Sequence, residues 1–162
     1  MSPTVSQPRT TTETPTATET TRGHWLGAVV DGIIAGIVMG IVMAVMMPGL
    51  LSEAIPALYG MDGALFGVTA HLAHSAVFGV LFAAIVRFGN LWRYTDRIAS
   101  STGLGVAYGL GLWLIAASIV MPLWMNAVGM DAVVPTFDIT SMGAHVVYGA
   151  VLGALFPYLK RY

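Results

Sequence analysis

Residues 25–47 read WLGAVVDGIIAGIVMGIVMAVMM, and Asp31 is the only charged residue in the run. At about 1.5 Å per residue, roughly 20 such residues cross a hydrocarbon core of about 30 Å. Three more apolar runs of similar length follow, at about 64–86, 101–123 and 139–159. A helix is the expected form of each, because a segment in lipid must satisfy its backbone polar groups internally. The glycines inside these runs are no obstacle, since glycine is common in membrane helices. The expected fold is therefore all-α, an integral membrane four-helix bundle over 24–162.

Composition agrees. Hydrophobic residues make up 56% of the 162 and charged residues 9%, whereas ordinary soluble domains are near a quarter charged. With no cysteine, disulfides, thiolate metal sites and cysteine nucleophiles are excluded. A net charge of −1 gives no case for nucleic-acid binding. The lipid bilayer is the expected partner. Residues 1–23 differ from the rest: they are rich in threonine and almost free of large apolar side chains. They are read as a disordered, cytoplasmic tail. The apolar run that follows is too long for a signal-peptide core and lacks a cleavage site.

Charge sets the orientation. Arg9, Arg22, Arg87, Arg93, Arg97, Lys160 and Arg161 lie in the N-terminal tail, the middle loop or the C-terminus, while Glu53, Asp62, Asp131 and Asp138 mark the first and third loops. The positive-inside rule places both termini and the middle loop in the cytoplasm, in a multi-pass protein of the cell membrane. Tyr59, Trp92, Tyr94, Trp124 and Tyr158, near the span ends, are expected at the membrane interface.

The two halves resemble each other. Met47-Pro48, Gly60-Met61-Asp62, Ala73-His74 and Gly79 are followed in the same order by Met121-Pro122, Gly129-Met130-Asp131, Ala144-His145 and Gly149. Each half is one helical hairpin, so two repeats would share an orientation and be related by an axis along the membrane normal. Gly32, Gly36 and Gly40, Gly105 and Gly109, and Gly149 and Gly153 recur at four-residue spacing. That spacing lets helix backbones approach closely. It does not say whether the contact lies within one chain or forms a homo-oligomer.

The candidate intramembrane polar site comprises His71, His74, His145, Asp31 and Asp138. His71 and His74 share a helix face, and His145 takes the place of His74 in the second half. If the repeat holds, His74 and His145 lie at similar depth and can face each other. Three readings stand: hydrogen bonds between helices, a haem site with His74 and His145 as axial ligands, or a proton or substrate pathway. Asp31 lies about 10 Å from the depth of His74, too far for a direct bond. It reads either as a relay residue or as an interfacial carboxylate, hydrated or paired with Arg22 or the loop arginines. The second is preferred because interfacial charge is cheap. Met39, Met43 and Met47, with Met46 nearby, allow a copper reading, but methionine is also an adaptable packing residue and packing is preferred. Pro48 and Pro122 should end or kink the first and third helices. Loop 48–63, with Leu50, Leu51, Ile55 and Leu58, is expected to lie on the membrane surface. There is no phosphate-binding glycine loop, nucleophile elbow or His-Glu-x-x-His motif, so no enzyme is expected, and neither metal nor other cofactor beyond the haem alternative.

Over roughly the last 60 residues the chain resembles the YagU-like family of small inner-membrane proteins. The resemblance is carried by Gly103, Gly105, Gly109, Pro122, Pro135-Thr136-Phe137-Asp138 and Gly143-Ala144-His145, with a weaker likeness from Val68-Thr69 to Phe82. It implies membrane location and the helical hairpin, adds no catalytic role, and draws attention to Asp138 and His145, two turns apart. Ala144 between Gly143 and His145 and the threonine tail depart from the family pattern. Three functions are thus in view: an accessory, structural or assembly component with a membrane-complex partner; a small transporter or proton pathway; and a haem-binding electron carrier.

Overall fold

The structure is a computed structural model that describes the backbone of residues 17–161 and the side chains of 25–161. Four helical runs make up the bundle: α1 (Ala17–Met46), α2 (Ala64–Phe88), α3 (Ile98–Ala127) and α4 (Ile139–Leu159). All four are long and apolar enough to cross a membrane, and the chain is a multi-pass membrane protein. Burial has the pattern lipid requires. Val45, Leu65 and Val77 are 74%, 85% and 63% exposed on outward faces, which no soluble bundle tolerates over four helices. The tail expected over 1–23 lies outside the described residues up to residue 16. Residues 17–23 continue α1, since a nucleated helix extends at one backbone hydrogen bond per added residue.

α1 packs on α2, and α3 on α4, as two hairpins; α1 also packs closely on α4. Glycine decides both hairpin crossings. A Cβ on Gly32 would meet the Ser75 carbonyl and come within 3.0 Å of the Gly79 Cα. One on Gly105 would meet the Gly149 carbonyl and come within 2.8 Å of the Gly153 Cα. The glycine faces are therefore used within the chain, which removes them as the surface for a second copy.

The prolines act differently from each other. α1 stops at Met46, before Pro48, as expected. Pro122 does not end α3, which runs on to Ala127. Proline has no N–H for the carbonyl four residues back. Here that carbonyl, on Ser118, accepts instead from the Thr136 N–H at 2.9 Å. The preceding turns, Trp113–Val120, widen into π-helix, a common way to absorb such a break. The first loop also departs from expectation. It does not lie on the surface; it folds back into the bundle as a short π-helical turn, Leu50–Ala54, with Leu51, Ile55 and Leu58 buried. Gly67 permits this, because any side chain there would strike the Leu51 carbonyl.

The end of the bundle that carries the arginines is closed. Tyr108, Phe82, Phe156 and Trp92 follow one another in series, tilted or edge to face, with centroids 5.1–5.9 Å apart. Lys160, almost fully buried, donates to Asp96 Oδ1 at 2.7 Å and to Thr95 Oγ1 at 2.9 Å, and lies over the Trp92 ring. This ties the C-terminus to the middle loop.

Candidate functional site

The opposite half of the bundle is hollow. A part-open cavity of about 240 Å³ lies between the hairpins, lined from α1 by Met39 and Met43, from just beyond its end by Met47, from α2 by His71, His74 and Ser75, and from α3 and α4 by Met121, Trp124, His145 and Tyr148. Leu50, Ile55 and Leu58 of the folded-back loop complete its wall. The three histidines expected to form a site thus line one space.

Each imidazole is held by a different oxygen. His71 Nε2 donates to the Gly36 carbonyl at 2.9 Å, across the α1–α2 crossing. His145 Nδ1 donates to Ser141 O one turn back, at 2.8 Å. His74 Nε2 shares a 2.6 Å hydrogen bond with the Tyr59 hydroxyl. A backbone carbonyl only accepts, so the neutral rings of His71 and His145 carry their proton on the bonded nitrogen and keep a lone pair on the other. Tyr59 and Trp124 meet edge to face at 5.1 Å, and Trp124 also packs on the His74 ring. These two aromatics, read from sequence as interface anchors, join the first loop, α2 and α3 over the cavity.

The glycine contacts also set the register between the hairpins. Gly32 meets Ser75 and Gly79 as Gly105 meets Gly149 and Gly153, and Gly36 meets Ser75 as Gly109 meets His145 and Gly149. On that register His145 matches His71, one turn from the His74 match read from sequence. The Gly-Met-Asp segments turn alike, with Gly60 at φ 66° and Gly129 at φ 85°, a region where only glycine is unstrained.

Below the cavity, Ser75 and Tyr148 close the floor. Tyr148 Oη donates to Ser75 O at 2.7 Å, the carbonyl against which Gly32 packs. Tyr108 Oη likewise donates from α3 to Phe78 O on α2, at 2.8 Å. Asp31 precedes Gly32 and faces inward. It is 0% exposed, and neither carboxylate oxygen has a hydrogen-bond partner among the described residues. This overturns the preferred reading of Asp31 as a hydrated interfacial group, and none of the loop arginines pairs with it; the Arg22 side chain lies outside the described residues. The helix turn that would have put Asp31 at the surface is occupied by Leu26, Val30 and Ile34, which are the exposed residues there.

Asp138 does not join the site. It is the N-cap of α4, accepting from the Ser141 N–H at 2.6 Å, a usual task for aspartate at that position. His145 turns instead to the Ser141 carbonyl. No group of three or more His, Cys, Asp or Glu side chains fit to hold a metal occurs among the described residues. Sequence reading missed Tyr148, Tyr108, Ser75 and Met121. The available signal was that Tyr148 follows His145, and Ser75 follows His71, on the same helix face. Comparison with protein-family models, characterised proteins and solved structures gives no match for this chain.

Proposed function

We propose that the protein is a non-enzymatic transporter of the cell membrane that carries protons between the histidine-lined cavity and Asp31. Both termini are in the cytoplasm on this reading, so Asp31 lies toward the inner side and the cavity toward the outer. The observation that carries the reading is the buried Asp31 carboxylate, without a hydrogen-bond partner among the described residues. A charge there would be very costly without a proton, a cation or a new partner to compensate it, and such intramembrane acids mark ion and proton paths. An accessory or assembly component, the plainer reading, gives this carboxylate no reason to be there. Between cavity and acid stand the Ser75 and Tyr148 hydroxyls, both on cavity-lining residues.

The test is dye-reported proton flux into proteoliposomes under an imposed potential. Wild-type protein should conduct, and Asp31→Asn, which keeps shape and loses the exchangeable proton, should reduce flux at least tenfold. Absence of protein-dependent flux, or equal flux in Asp31→Asn, rejects the proposal. The absorption spectrum of the same preparation decides the haem alternative: a Soret band supports it and its absence removes it.

A further inference from the structure

Four methionines line the same cavity as the imidazoles: Met39 and Met43 of α1, Met47 just beyond its end, and Met121 from the other hairpin. Packing alone explains a methionine stripe on one helix. It does not explain why a fourth thioether arrives from α3 to face the same space, nor why that space is unfilled. The imidazoles add a second, independent feature. His71 and His145 each give one ring N–H to a backbone carbonyl, both residues line the cavity, and neither second nitrogen is both fully buried and unpartnered among the described residues. That is how ligating histidines are held, since an outer carbonyl fixes the tautomer and leaves the other nitrogen's lone pair for the metal.

We propose that this cavity is a binding site for a soft monovalent cation, Cu(I) or its analogue Ag(I), with ligands drawn from the thioethers of Met39, Met43, Met47 and Met121 and the free nitrogens of His71 and His145. Thioether donors select Cu(I), and imidazole suits copper. Every donor is neutral, which favours a monovalent over a divalent ion in a low-dielectric setting. Asp31, eight residues before Met39 on the same face and about 12 Å away by helical rise, supplies the compensating negative charge. The inference goes beyond the proton pathway, and either can hold without the other.

The experiment uses full-length protein in detergent under reducing conditions, titrated with Cu(I) in competition with a chromogenic Cu(I) chelator. The expected result is one equivalent held against the chelator. Met39→Leu/Met43→Leu/Met121→Leu, a volume-conserving change, should weaken binding at least tenfold while leaving the melting profile intact. Met46→Leu, outside the cavity and 60% exposed, should leave affinity unchanged. Because His71 also braces the α1–α2 crossing, imidazole ligation is read on the wild type, by X-ray absorption showing sulfur and nitrogen neighbours together. No competitive binding, full affinity in the triple variant, or a shell without sulfur overturns the proposal. Cu(I) bound by a protein that conducts no protons would reject the transporter and keep the site; proton flux with no Cu(I) binding would do the reverse.

Discussion

In a bundle of two like hairpins, the α1–α4 and α2–α3 interfaces would be equivalent, yet only the first makes a close backbone approach. α1 lies closely against α4, while α2 and α3 make no comparable backbone approach. Side chains span that gap instead, as Tyr108 does in reaching the Phe78 carbonyl. The folded-back first loop and the methionines surround what is left. In lipid there is no hydrophobic drive between helices, so contact must come from shape. Small residues supply it at both hairpin crossings, and bulky or polar ones on α2 and α3 hold the second pair apart. The architecture therefore resides where the two halves agree, and the candidate chemistry where they differ.

This contrast can be broken most severely at a crossing. Gly105→Leu puts a branched side chain into the Gly149 backbone and should abolish the folded hairpin, read as loss of a monodisperse peak and of the melting transition in detergent. Gly111→Leu, with open space at the same helix, should stay within about 0.5 kcal/mol of wild type. Equal tolerance of both would deny that the crossings are close. Next comes the closed end. Phe156→Ala should cost about 2–3 kcal/mol, mostly the cavity contribution, because lipid removes the transfer part familiar from water-soluble cores. A loss below about 0.5 kcal/mol would mean that the aromatic series is not packed.

Filling the gap should do the opposite. Ala116→Leu adds volume at the cavity wall and should raise stability by about 0.5–1 kcal/mol while abolishing Cu(I) binding; a large destabilisation would show that the space is already filled. The smallest effect concerns Asp96 and Lys160. The hydrogen bond and charge of Lys160 hold the Asp96 carboxyl below its usual 3.8. A depressed folded-state value contributes stability that is fully present above about pH 4 and lost as pH falls further. The difference in melting temperature between wild type and Asp96→Asn should therefore be constant from pH 5 to 7 and shrink below about pH 4. Because Asp96 is mostly exposed, that difference should be slight; one that does not change with pH would detach the pair from the closed end.

Much of the fold was legible because lipid imposes a length and a composition on each span. The glycine spacing announced close crossings, and the structure assigned them to partners. Three features were not legible, for local reasons. Pro122 reads as either an end or a kink, and the choice needs Thr136 to be seen delivering the missing donor to Ser118. Loop 48–63 reads as interfacial unless Gly67 is known to admit the Leu51 backbone. Asp31 reads as a cheap interfacial charge, because its distance from Trp25 says how deep it lies but not which way it points. The histidines were found by type and depth, whereas Tyr148 and Met121, unremarkable in an apolar alphabet, became visible only once their helices were placed.

The central claim, that the bundle is shut between α1 and α4 and open between α2 and α3, can be tested directly in a chain that has no cysteine of its own. Single thiols placed at Ala35, which is 0% exposed, and at Ala117, on the cavity wall, are reacted with a small thiosulfonate under identical conditions in detergent. The thiol at 117 should be modified at least ten times faster than the one at 35. Equal rates, or a faster reaction at 35, would contradict that claim.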